Sequence, residues 1–349
     1  MLRRSDGALC EAGRRPAVCH GGQCPVAIQE VMRISSAAVD LVASVELHAH
    51  KPAGLVQMEL GNAELDVEGG IAALVQHGLL IKAPFLDPFR IGLTPYTVGF
   101  RIVDDFVVDK YLPLIMRARQ VAWLRRHRAT GEFSMGVVAP ALADVIELFD
   151  DLLIGLRHTV IRRYFLVVEN YRFFGHKSLT QAPIDRVPLR ASATKYIPEL
   201  DEIDRRLIAG LLPRRHFNAA ALSHEVGIPV EEINCRVERL RRLEVIAGFT
   251  YRFQPEAVQR IRYGVLVRRR TTDLRVKRRL IEFCEEHEHV CGLTNFLGDW
   301  DHEVLLDVPR EDALIAFLAE LRERFPREIE RIWWHEQVEE LKASNVFAL

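Results

Sequence analysis

The chain repeats itself at an interval of about 165 residues, and that constrains its fold more than any single motif does. Each half opens on an apolar-periodic helix, "AAVDLVASVELH" in the first and "LDEIDRRLIAGLL" in the second, followed by two further helix-like segments. Each set then closes on a short apolar strand, "GLLIKA" at 78–83 and "EVIAGF" at 244–249. "TVGFRI" and "YGVLVR" read as strands, each with an amphipathic helix behind it. "GEFSMGVVAP" from Gly131 and "GDWDHEVLLDVP" from Gly298 both begin with glycine, acid and aromatic and continue as strands. A helix and a last strand complete both copies, the strands being "VIRRYFLVVENYRFF" and "EIERIWWHEQVEEL".

Three helices and a strand suit a winged helix-turn-helix, and the β-α-β-β-α-β order that follows is the ferredoxin-like arrangement. The expected fold class is therefore α+β, with this pair of modules duplicated. Expected boundaries are a disordered tail over 1–31, a first winged unit over 32–90 and a first ferredoxin-like domain over 91–178. The Pro, Ser, Thr and Ala content of 179–198 suits a linker, a second winged unit takes 199–256, and a second ferredoxin-like domain takes 257–349.

No apolar run approaches the roughly 20 residues that cross a bilayer, and the N-terminus carries no apolar stretch of signal-peptide length, so the expectation is a cytoplasmic protein without a membrane partner. Six cysteines scattered through the chain do not make a secreted disulfide framework. Cys10, Cys19 and Cys24 lack a Cys-x-x-Cys pair and lie in Arg-, Gly- and Pro-rich sequence, and His48 and His50 do not share a helix face. Neither group predicts a metal site.

The stretch "GIPVEEINCRVERLRRLEVIAGF" carries four arginines within seven residues. On a helical wheel Val230, Ile233, Val237 and Leu240 share one arc, opposite Glu231, Cys235, Arg239 and Arg242, with Arg236 at the flank. Asn218 suits an N-cap, Gly227 a left-handed helix end, and Pro229 the first turn of the next helix. The segment is thus predicted to be helix, tight turn, helix. A recognition helix reads base edges from its N-terminal half and holds phosphates further along. Asn234, Arg236, Arg239 and Arg242 are the candidate DNA contacts, with Arg214 and Arg215 placed to reach the backbone. The alternative is a solvated face paired along the helix, Glu232 with Arg236 and Glu238 with Arg242.

The first winged unit differs in charge. Residues 35–83 hold two basic and six acidic residues, whereas 200–260 hold ten basic and nine acidic ones. Glu64, Asp66 and Glu68 stand where a reader would meet phosphate, so this copy is expected not to bind DNA.

"LDEIDRRLIAGL", "ALSHEVGIPVEEINCRVERLRRLEVIAGF" and "FLGDWDHEVLLDV" together resemble the leucine-responsive regulator (Lrp/AsnC) family of transcription regulators, over about 150 residues of the second half. The resemblance implies a regulator that binds double-stranded DNA and a small-molecule effector, often an amino acid, without a cofactor or catalysis. It also implies homodimers or larger assemblies joined through the ferredoxin-like domains, with Gly298 and Asp301 at the effector. In the first copy Gly131 and Ser134 take those places, and the acid is missing. The two halves can also pair within one chain. A related branch with the same two modules decarboxylates siroheme, which would make histidines such as His287, His289 and His302 catalytic. No Gly-rich phosphate loop or nucleophile elbow is present. Trp333, Trp334, Tyr164 and Phe173 on the last strands are expected to pack in cores or interfaces, and Cys284 and Cys291 between helix and strand.

Overall fold

The computed structural model describes residues 36–49, 53–60, 66–103, 105–127, 132–153, 160–180, 187–212, 217–253 and 258–343. Cys10, Cys19, Cys24, His50, Glu64, Gly131, Arg214 and Arg215 lie outside the described residues.

The first winged unit consists of α1 (Ser36–Val45), α2 (Ala53–Leu60), α3 (Val67–Gln76) and β1 (Ile81–Leu86). Asp66 starts α3 by accepting the Gly69 amide at 2.9 Å, the usual way a short acid satisfies an orphan donor at a helix start. The first ferredoxin-like domain follows as β2 (Thr94–Ile102), α4 (Asp105–Arg117), β3 (Val121–His127), β4 (Glu132–Ala139), α5 (Leu142–Leu153) and β5 (Val160–Phe173). A short strand, β6 (Leu189–Ser192), lies in the stretch that reads as linker and pairs antiparallel with β5. The second winged unit is α6 (Glu202–Leu211), α7 (Ala219–Val226), α8 (Val230–Arg242) and β7 (Ile246–Arg252). The second ferredoxin-like domain is β8 (Ile261–Arg269), α9 (Leu274–Glu286), β9 (Val290–Gly298), β10 (His302–Val308), α10 (Glu311–Arg324) and β11 (Ile329–Lys342).

The fold is therefore α+β with both modules duplicated. The caps expected for the second helix-turn-helix are in place: the Asn218 side chain accepts the Ala221 amide at 3.0 Å, and Gly227 ends α7 at φ 76°. Ile233, Val237 and Leu240 are buried as the wheel requires.

The halves meet twice. The two wings pair with each other, β1 antiparallel to β7, with Ile81 opposite Arg252 and Pro84 opposite Phe249. The strands of the two ferredoxin-like domains then close into one ring of eight, in the order β2-β4-β3-β11-β8-β10-β9-β5 and back to β2. The long strands β5 and β11 make this possible, because each pairs with its own domain along one part and with the other domain along the rest. In β11, Ile329 to Glu336 lie on β8 and Gln337 to Lys342 on β3. The two halves are thus joined to each other within one chain, through the wings and through the ring.

The period-2 alternation of the strands separates two environments. Phe133, Met135 and Val137 of β4, and Val304, Leu306 and Val308 of β10, pack outward under the helices. Tyr164, Leu166 and Val168 of β5, Leu305 of β10 and Trp333 of β11 join the interior cluster of the ring. Phe85 of β1 joins that cluster from the wing pair and stacks on Tyr171 with centroids 5.6 Å apart.

Candidate functional site inside the ring

The interior of the ring holds a narrow cleft of ≈ 40 Å³ walled by both halves. Tyr96, Trp123 and Arg125 line it from the first half, Val168 and Tyr171 from β5, and Thr294, Glu303 and Leu305 from the second. Alternation explains the lining. On β3 every second residue, Trp123, Arg125 and His127, faces inward, and on β11 the inward pair is Trp333 and His335.

Here the alternation delivers ionisable groups where an apolar core is usual. Arg125 is buried, lies over the Trp123 ring at 4.7 Å and stands 3.8 Å from the Glu340 carboxylate. His127 and His335 are both buried, with ring centroids 3.8 Å apart and planes at 60°. Trp333 packs 5.1 Å from His335 and 6.5 Å from His127. Glu303 Oε1 comes within 4.0 Å of His335 Nε2. Gly264 creates that approach, since a Cβ there would lie 2.7 Å from His335 Nε2 and 2.9 Å from Glu303 Oε1.

Burial dominates the electrostatics. It holds His127 down to about 4, opposed by the Glu336 backbone carbonyl and reinforced by the Arg125 charge. It holds His335 well below the ordinary histidine value, with His127 and Arg125 acting in the same direction. The same desolvation pushes Glu303 and Tyr164 up, and Arg125 offsets part of both shifts. The ring nitrogens of His335 meet no hydrogen-bond partner among the described residues. An imidazole in that state is a costly core residue and a ready proton acceptor or donor for a bound molecule.

The residues singled out from sequence lie elsewhere. Arg236 is held by Asp201, by Asp204 at 3.1 Å and by Glu232 at 2.7 Å. Arg239 pairs with Asp204 and donates to the Glu199 carbonyl at 3.1 Å. Asp204 is fully buried, so these arginines neutralise an acid beneath α8 and fasten it to α6. The Glu232–Arg236 pair is the one expected as the alternative to DNA contact, and Arg239 stays partly exposed. Glu238 pairs with Arg241 at 2.9 Å rather than with Arg242. Asn234 and Arg242 are exposed.

Gly298 and Asp301 also serve the frame. A Cβ on Gly298, at φ 140°, would stand 2.5 Å from the Phe165 carbonyl, because β5 closes on β9 there. Asp301 accepts the Arg269 amide at 2.8 Å and pairs with its guanidinium at 3.0 Å. Neither residue lines the cleft.

Of the three tempting histidines, none lines the cleft. His302 is buried with Nδ1 2.5 Å from Asn295 Oδ1, and Asn295 in turn donates to Asn170 at 2.7 Å, a polar link between the halves. His287 packs on Phe317 with centroids 4.9 Å apart, and His289 beside it. Sequence reading missed Arg125, His127, Glu303 and His335. The available signal was the pattern Trp-x-Arg-x-His in "WLRRH" and Trp-x-His in "WWH", polar residues on the strand face that also carries tryptophan.

His176, Cys291 and Asp307 also cluster, within 4.8 Å by their ligand atoms. Arg262 already chelates Asp307 there, from Nε at 2.8 Å and from Nη2 at 2.7 Å. A guanidinium supplies the positive charge of this cluster, which does not suit a metal ion.

Neither the protein-family models nor the curated proteins give a match to the chain. Among solved structures, the siroheme decarboxylase NirDL superposes with a TM-score of 0.56 at 14% identity, covering 89% of this chain and 93% of that one. NirDL in co-complex with an iron-uroporphyrin III analogue gives 0.56 at 12% identity, over 88% and 92%. An AsnC family transcriptional regulator from Agrobacterium tumefaciens matches 42% of this chain and 94% of its own, at 21% identity and a TM-score of 0.35. At such identities the NirDL likeness concerns the fold.

Proposed function

We propose that the chain is an enzyme that removes carboxyl groups from a tetrapyrrole of the siroheme type, with the cleft inside the ring as its active site. The observation that carries the reading is that Arg125 and Glu303 line one cleft shared by the two halves, with the buried His127 and His335 packed ring against ring beside Glu303. The near full-length likeness to NirDL supports it, as does the internal pairing of Arg236 and Arg239, which leaves the leading DNA contacts engaged elsewhere.

In this reading Arg125 anchors a substrate carboxylate, since a guanidinium pairs with a carboxylate through two parallel bonds. Trp123 and Tyr171 flank the flat ring system. Decarboxylation of an acetate side chain breaks the bond between its methylene carbon and the carboxyl carbon, releases carbon dioxide and leaves an electron pair on the methylene carbon. That carbon takes a proton to become a methyl group. His335 and His127, beside the cleft, are kept neutral by burial. A polycarboxylate brought against them raises their proton affinity through its negative charge, so the bound substrate itself charges the proton donor.

The test is anaerobic incubation of the protein with siroheme, followed by absorption spectra and mass analysis of the tetrapyrrole. Binding with successive loss of carboxyl groups, abolished in His335→Ala and His127→Ala, is the expected result. Absence of binding and turnover, together with enrichment of a DNA motif from random duplexes, would overturn the reading in favour of a regulator. That alternative draws on the α7-turn-α8 geometry and the exposed Asn234 and Arg242.

A further inference from the structure

The winged-helix pair is also attached to the ring through four charged groups, three of them buried and the fourth, Arg262, nearly so, that no step above uses. Glu46, in the turn after α1, receives the His176 amide at 2.8 Å and faces His176 Nδ1 at 2.6 Å. His176 follows β5, and its Nε2 lies 2.7 Å from Asp307 Oδ2 on β10. Arg262 on β8 chelates Asp307 and comes within 3.2 Å of His176 Nε2. Cys291 on β9 completes the surroundings, with Phe253 packed on the ring at 4.6 Å and Phe173 at 5.9 Å. Glu46, Asp307 and His176 are all buried.

Geometry fixes the protonation state. Both ring nitrogens stand at hydrogen-bonding distance from carboxylate oxygens, and a neutral imidazole has one N–H to give. Only the imidazolium satisfies both, and it balances the set at two positive and two negative charges. Without that proton a lone pair would face a carboxylate in a site shut off from water, where such a contact is most costly. The second N–H of Arg262 Nη2, 3.2 Å from His176 Nε2, does not cure this, because the unprotonated nitrogen would still face Asp307 Oδ2 at 2.7 Å.

We propose that the His176 imidazolium is a catch that holds the winged-helix pair to the second ferredoxin-like domain, and that alkaline deprotonation releases the pair as a unit from an intact ring. Glu46 belongs to the winged unit, Asp307 and Arg262 to the ring, and His176 bonds both. The other contacts between wings and ring include Phe85 stacked on Tyr171 against the cleft wall, Leu47 in the ring's interior cluster and Trp123 in the wing core, apolar packing that does not titrate in this range. Release therefore loosens that wall as well.

The sign follows from the direction of the shifts. Burial alone would lower His176, but Glu46 and then Asp307 raise it well above its ordinary value. Its contribution is full below the unfolded value near 6.5 and is lost as pH rises through the higher folded value. Asp307 is held below the usual carboxylate range by Arg262 and His176, against burial, so its share is lost only in acid.

Hydrogen–deuterium exchange on the full chain tests this, comparing about pH 7 with about pH 9.5 after correction for intrinsic rates. Amides of α1, β1 and β7 are expected to exchange roughly tenfold faster at the higher pH, with β8 and β10 unchanged. In His176→Gln the faster exchange should be present at both pH values. Glu46→Gln, which keeps the shape and removes one charge, should move the transition to lower pH and covers the case in which the first variant does not fold. Equal exchange of the wing pair at both pH values in the wild type, or melting of ring and wings together, would overturn the proposal. So would an unshifted transition in Glu46→Gln.

Discussion

His127 and His335 stand ring against ring inside the protein, with centroids 3.8 Å apart, one from each half of the repeat. β11 pairs with β3 so that Gln337, not His335, is opposite His127, and the two imidazoles meet across a diagonal of the join. A core built only for stability would place two aliphatic side chains there. Replacing His335 by Leu removes ring nitrogens without hydrogen-bond partners, a burden of roughly 1–3 kcal/mol for a buried polar group. His335→Leu should therefore raise the melting temperature or leave it unchanged while abolishing turnover of the tetrapyrrole. Thermal unfolding beside an activity assay checks it, and a clear fall in stability would show that the histidine is structural.

Acid should weaken the fold through the same buried rings. The native state keeps His127 at about 4, His287 at about 4 and His302 at about 3, chiefly by burial. Unfolded histidines take up protons near 6.5, so stability is full above that value and falls as pH drops toward 4. His127 alone accounts for on the order of 3 kcal/mol. Asp87, raised to about 6 by burial, acts in the opposite sense above its unfolded value near 3.8. Denaturant melts at a series of pH values should show the net loss, and His127→Gln should flatten it.

The join at Gly298 is predicted to reject a side chain. Its φ of 140° and the 2.5 Å approach to the Phe165 carbonyl leave no room for a Cβ. Gly298→Ala should cost roughly 2–3 kcal/mol, above the ordinary penalty for alanine at positive φ because the backbone of β5 must also move. Urea titration measures it, and a loss below about 0.5 kcal/mol would mean that the ring opens easily there.

Arg236 and Arg239 should prove to be stabilising residues. Removing both leaves the fully buried Asp204 without its cations, and an unpaired buried charge costs several kcal/mol. We expect Arg236→Ala, Arg239→Ala to lose roughly 2–4 kcal/mol, part of it recovered by adding Asp204→Asn. A double variant as stable as the parent would put these arginines back among the candidate DNA contacts.

Periodicity, capping and turn chemistry are local, and they carried the element order a long way. The alternation of the strands, Asn218 and Gly227 around α7, and the buried arc Ile233, Val237 and Leu240 are all legible because each depends on residues a few positions apart. The repeat revealed the duplication for the same reason. The tertiary structure decided the partners. Arg236 looked like a reader because its wheel position is polar, yet Asp204, on another helix, claims its charge. Gly298 looked like an effector contact, yet β5 from the other half closes on it. Strand alternation alone puts Arg125 with His127, and Trp333 with His335, on one face of their own strands, but does not show that the sheet curls those faces inward around a common interior. Ring closure depends on long-range pairing between β3 and β11 and between β5 and β9, and a contact between residues so far apart in the chain leaves no period in the sequence.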